Sequence, residues 1–143
     1  MARIDIALPG QFAFSTGIAL HQEHINYRGH LDNAMLLAVV SEARRRFFES
    51  IGQSNLDSEG IGIVIADAAV QYRSEAHIGQ TMLVEMTAGD FTSKGCDLPW
   101  RMTEKSSGRE VARGKTGIVF FDYATRKAVL VPENFRQRFV ICS

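Results

Sequence analysis

His24-Ile25-Asn26-Tyr27-Arg28-Gly29-His30-Leu31-Asp32-Asn33-Ala34-Met35-Leu36-Leu37-Ala38-Val39-Val40-Ser41-Glu42-Ala43-Arg44-Arg45-Arg46-Phe47-Phe48-Glu49 decides how the rest of the chain must fold. A polar turn, Asn26 to Asp32, runs straight into the one long helix the sequence contains. Gly29 is the flexible point of that turn. Asp32 or Asn33 can cap the helix, because either side chain accepts from the free N–H groups of a first turn. Ala34 to Val40 are seven apolar residues in a row, and Leu36, Val40, Ala43, Phe47 and Ile51 then hold one helical face. The N-terminal half is expected to be buried all round, with only the Arg44–Arg46 end in water. Gly52 is a natural stop.

Outward from the helix the pattern is extended. Residues 11–20 read as a strand, continued by His21 to Ile25. Residues 53–60 form a polar loop. From Gly60 to Tyr72 apolar residues occupy both parities, the signature of a central strand covered on both faces. Strands are expected over 80–92, 96–104 and 109–122, with Ser93-Lys94-Gly95 and Ser106-Ser107-Gly108 as turns. Pro99 points to a bulge or an edge. Ala128–Val131 adds a short strand, and Pro132 opens a last helix through Phe139. One apolar helix needs cover on more than one side, and a strongly curved antiparallel sheet wrapped around it supplies that cover. The expectation is an α+β fold in a single domain over residues 1–143.

Composition narrows the function. Apolar residues make up 45% and charged residues 22% of 143, ordinary for a globular domain. Net charge is zero, so nothing favours nucleic acid. Cys96 and Cys142 fit no metal-ligand spacing and no disulfide framework, and a reducing, cytoplasmic setting is expected. The N-terminus lacks a signal-peptide core, and no stretch approaches the roughly 18 apolar residues of a membrane span. Gly114-Lys115-Thr116 lacks the glycine spacing and the strand–loop–helix context of a phosphate loop. No Gly-x-Gly-x-x-Gly, His-Glu-x-x-His or Gly-x-Ser-x-Gly is present, so no nucleotide cofactor and no metal is expected.

The run Asn26-x-x-Gly29-His30-Leu31-Asp32-Asn33, followed by Glu42-Ala43-Arg44 in the helix, resembles the hotdog-fold acyl-CoA thioesterases of the 4-hydroxybenzoyl-CoA thioesterase type. Those proteins show Asp-x-x-Gly-His-Val-Asn-Asn before a helix with Glu-x-Ala-Arg. Val70 to Ala76 is similar to the family's second long strand. The resemblance implies a curved sheet around a central helix, and a homodimer with active sites at the dimer interface; pairing of dimers into a homotetramer is left open. It implies hydrolysis of acyl-CoA, or of an acyl carrier protein thioester, to an acid and a thiol. A coenzyme A thioester is then the substrate, and no cofactor is needed. The thioester oxygen would face the backbone N–H near Asn33, where free donors and the helix dipole favour an oxyanion.

One position departs from the family. Asn26 stands where the catalytic Asp belongs, and an amide neither attacks a thioester nor takes a proton from water. Asn26 is left to orient water or polarise the carbonyl. His30, whose imidazole can accept a proton, and Asp67, which interrupts an apolar strand, are the candidate bases. Each has a structural alternative: His30 as a brace of the turn, Asp67 in an ion pair. Asp32 as a base competes with Asp32 as a cap, and Glu42 with a pairing to Arg45 or Arg46. The Arg44–Arg46 run is read as a solvated helix end, or else as a contact to coenzyme A phosphates. Gly29, Leu31, Asp32, Ser93 and Lys94 complete the expected substrate-binding set. The lost acid also motivates a second reading, a hotdog protein that binds an acyl-CoA without cleaving it.

Overall fold

The structure is a computed structural model and describes residues 2–52 and 60–140. Residues 53–59 of the expected loop and Cys142 lie outside the described residues. The elements run β1 (Phe14–Ala19), a short 3-10 turn (Gln22–His24), α1 (Asn33–Ser50), β2 (Ile61–Tyr72), β3 (Thr81–Met86), β4 (Gly95–Glu104), β5 (Glu110–Asp122), β6 (Lys127–Ala128) and α2 (Glu133–Val140). The strands form one six-stranded antiparallel sheet in the order β1-β3-β4-β5-β2, with β6 on β5. The α+β architecture of a curved sheet around a central helix is therefore observed.

α1 begins where its cap dictates. Asp32 Oδ2 accepts from the N–H groups of Ala34 (2.9 Å) and Met35 (3.2 Å). The helix buries Leu36, Val39, Val40, Ala43, Phe47 and Phe48. These meet the alternating inward residues of the sheet, Met82, Val84 and Met86 on β3 and Leu98, Trp100 and Met102 on β4, all fully buried. The ring of Trp100 lies against Gly114, its register partner on β5, where an added Cβ would come within 2.5 Å of the indole. A glycine at 114 is thus what admits the largest core side chain.

Several expectations are corrected. The extended piece at His21–Ile25 is instead the 3-10 turn, with His24 Nδ1 accepting from the His21 N–H at 2.9 Å. The first half of α1 is not buried all round: Asn33, Ala34, Leu37 and Ala38 are exposed, because a single sheet reaches only one side of the helix. β2 is not central but lies at the sheet edge, with Ile65, Ala66, Asp67 and Ala68 exposed. β3 stops at Met86, well short of residue 92, and the last short strand is Lys127–Ala128.

Pro99 sits inside β4, yet its missing N–H is harmless. β3 pairing ends at Met86↔Trp100, and Thr87 still donates to the Pro99 carbonyl at 3.2 Å. Since the N and O of one residue point to the same side, the proline ring faces the flank that β3 has left. Arg46 is less solvated than expected, its Nη1 donating to Thr16 Oγ1 (2.9 Å) and the Gly17 carbonyl (3.0 Å). Glu42 pairs with Arg45 as expected, at 2.7 Å, and that hydrogen bond draws its pKa down. Among the described residues, no helix is long and apolar enough to cross a membrane.

Candidate active site

The turn before α1 is built by Asn26. Its carbonyl accepts from the Gly29 N–H (3.0 Å) and its own N–H donates to the His30 carbonyl (2.8 Å). Its side-chain Oδ1 accepts from the N–H groups of Arg28 (2.9 Å) and His30 (3.2 Å). The amide oxygen is therefore spent on the turn, as an Asx residue does. Gly29, at φ 85°, supplies the left-handed step.

The segment after β2 is pinned beside this turn. The N–H groups of Arg73 and Ser74 donate to the Val111 carbonyl on β5, and Ser74 Oγ donates to the Glu110 carbonyl. Arg109 Nη1 donates to both Ser74 Oγ and the Glu75 carbonyl. The Leu31 N–H donates to the Ala76 carbonyl at 2.8 Å, and the Tyr72 hydroxyl donates to the Asn33 carbonyl at 3.1 Å. These bonds hold Glu75 against His30, with Nε2 to Oε2 at 3.1 Å.

Between the two segments lies a cleft of about 380 Å³. Its polar wall is Asn26, His30, Asn33, Tyr72, Arg73, Ser74 and Glu75; its apolar floor is Leu31, Leu36, Ala76 and Val111. Among the described residues, Glu75 is its one carboxylate. Asn33 is the first residue of α1. The Asp32 side chain takes the next two N–H groups and the Asp32 carbonyl takes that of Leu36, whereas the Asn33 N–H has no protein acceptor among the described residues. A free donor at a helix N-terminus, in a concave cleft, is suited to a developing negative charge.

The structure brings Asn26, His30, Leu31 and Asn33 to one cleft, whereas Gly29 and Asp32 do not line it and instead form the turn and the helix cap beside it. It does not bring Asp67 there. Asp67 sits at a bulge in mid-β2, 63% exposed, with Lys115 Nζ 2.7 Å from Oδ1, and Lys115 also reaches Asp97 at 3.1 Å. The Lys115 hydrogen bond lowers the pKa of Asp67, the behaviour of a paired carboxylate rather than a waiting base. Ser93 and Lys94 lie in the turn before β4, where their carbonyls accept from Val131 and Phe120, and neither lines the cleft of its own chain. The polar cleft residues that sequence reasoning left unassigned are Tyr72, Arg73, Ser74 and Glu75. The signal was there in the polar Arg73-Ser74-Glu75 run that closes an otherwise apolar strand.

Asp32→Ala tests the frame. Losing an N-cap of this kind costs about 0.5–2 kcal/mol. The variant is expected to melt at a lower temperature by calorimetry, with the cleft residues all still present.

Residues 20–139 match the thioesterase-like superfamily, and the chain belongs to it. Comparison with curated protein sequences gives no match. Among solved structures, a 1,4-dihydroxy-2-naphthoyl-CoA thioesterase from Synechocystis aligns with a TM-score of 0.78 at 20% identity, covering 91% of this chain and 96% of that one. A Staphylococcus aureus protein solved in complex with CoA aligns at 0.80 and 20% identity, covering 94% and 85%. A 12:0-ACP thioesterase from Umbellularia californica aligns at 0.73 and 16% identity over 86% of this chain and 48% of that one. At these identities the likeness is one of fold, the hotdog fold of thioesterases.

Proposed function

We propose that the protein hydrolyses acyl thioesters, of coenzyme A or of an acyl carrier protein, with Glu75 and His30 activating the attacking water. The observation that carries this reading is the His30–Glu75 pair, 3.1 Å apart, in the same cleft as the free N–H of Asn33. Water attacks the thioester carbonyl carbon while its proton passes to the pair. The carbonyl oxygen becomes an oxyanion facing the Asn33 N–H. Collapse breaks the C–S bond, and the thiolate leaves with the proton the pair has held. Asn26 differs from the acid of the 4-hydroxybenzoyl-CoA type. Its Oδ1 holds the turn while its Nδ2, without a protein acceptor among the described residues, is available to a substrate oxygen or to the water. Glu75 takes over the acid's part from the other wall of the cleft.

The active unit on this reading is a homodimer. A twelve-residue edge strand, β2, exposed from Ile65 to Ala68 with apolar Ile65, Ala66 and Ala68 in that stretch, invites pairing with the same strand of a second copy. Asn26 at the acid's position also supports a second reading, binding without cleavage. The test is thiol release from a panel of acyl-CoA and acyl carrier protein thioesters. Release above background that depends on Glu75 supports hydrolysis. Tight calorimetric binding of a thioester recovered intact would support the binding reading instead.

A further inference from the structure

We infer that His30, Glu75 and His77 form a binding site for a divalent transition-metal ion of the zinc class at the mouth of the cleft. One donor atom of each lies within 4.8 Å of the other two. Two imidazoles and one carboxylate are a zinc-type ligand set, with a fourth position left for water. Metal bonds of about 2.0–2.2 Å put tetrahedral donors about 3.3 Å apart, so closure needs movements on the order of 1 Å.

The side chains are free to make that movement. Glu75 and His77 are exposed, and His30 is the half-buried anchor. The one side-chain partner of His77 among the described residues is the Gly29 carbonyl, 3.4 Å from Nδ1, a long contact. The backbone beneath them is held. His30 and His77 face each other as an isolated antiparallel bridge, and their rings meet edge-on at 5.0 Å. The His77 N–H donates to Gln80 Oε1 at 2.9 Å, and the Gln80 N–H returns to the His77 carbonyl. Arg109 fixes the carbonyl of Glu75. Three donors from two pinned segments thus lie within reach of a single ion. An ion there would engage the His30 nitrogen and the Glu75 carboxylate, the pair on which the hydrolysis proposed above rests.

The test is calorimetric titration of the full chain with zinc chloride, without substrate. One ion per chain is expected for the natural sequence. His77→Gln should weaken binding by at least about tenfold, the loss that even an outer partner of a metal site produces. Glu75→Gln should weaken it similarly. His21→Gln, at a histidine outside the trio, should leave it unchanged, and melting curves check that each variant is folded. Absence of zinc binding at about 100 µM, or equal affinity in folded His77→Gln, overturns the inference; that concentration exceeds the dissociation constants of structural zinc sites by orders of magnitude.

Discussion

Glu75→Gln is expected to lower kcat for thiol release by about 10²–10⁴-fold, the range general acid–base groups contribute. The substitution is nearly isosteric. Its amide oxygen can still accept from His30 Nε2, so the 3.1 Å contact is retained while the proton acceptor is lost. KM should change little, because the interaction removed belongs to the transition state rather than to substrate binding. Stability should change little as well. Glu75 is 66% exposed and His30 30%, and exposed pairs of this kind contribute about 0–1 kcal/mol. Loss of rate with an unchanged melting temperature is therefore the signature. Adding Asn26→Asp to Glu75→Gln should recover part of the rate. An aspartate can keep both N–H bonds from Arg28 and His30 and return a carboxylate to the cleft. A Glu75→Gln protein with full kcat would remove Glu75 from the chemistry.

That experiment rests on a residue that local sequence marks as part of a polar run but not as the partner of His30. α1 was legible because its signals are local: a cap at Asp32, one apolar face from Leu36 to Phe47, and Gly52 after the end. The meander of strands was legible from parity in the same way. Placement was not. β2 carries apolar residues on both faces and reads as central, yet it lies at the edge of its own sheet. Periodicity reports which faces must be covered, not whether the same chain covers them. Asp67 reads as a base because it interrupts an apolar run. Its partner Lys115 comes from the neighbouring strand, through a register (Ala69↔Lys115) that depends on a bulge beside Ala66. Glu75 meets His30 only because Arg73 and Ser74 are tied to Val111 on a third segment. A pairing made by two loops across a sheet edge has no period to betray it.

The largest stability effect is expected at Phe47. Its side chain is fully buried on the inward face of α1, and its ring meets those of Phe14 (5.7 Å), Phe48 (5.4 Å) and Phe139 (5.7 Å). It thereby joins the helix to β1 on one side and to α2 on the other. Phe47→Ala deletes that hub and leaves a cavity that three rings attached to three different elements cannot jointly fill. Such truncations cost about 3–5 kcal/mol. Domains of this size hold only about 5–15 kcal/mol in all. With about 2–4 °C lost per kcal/mol, the midpoint should fall by roughly 6–20 °C. Phe47→Leu keeps most of the volume and should cost on the order of 1–1.5 kcal/mol. The cleft lies at the opposite end of α1, where Asp32 fixes the first turn independently of Phe47. Thiol release per folded molecule should therefore survive Phe47→Leu, and fall for Phe47→Ala only in proportion to the unfolded fraction. A Phe47→Ala protein that melts within a degree or two of the parent would mean that the aromatic cluster does not hold helix and sheet together.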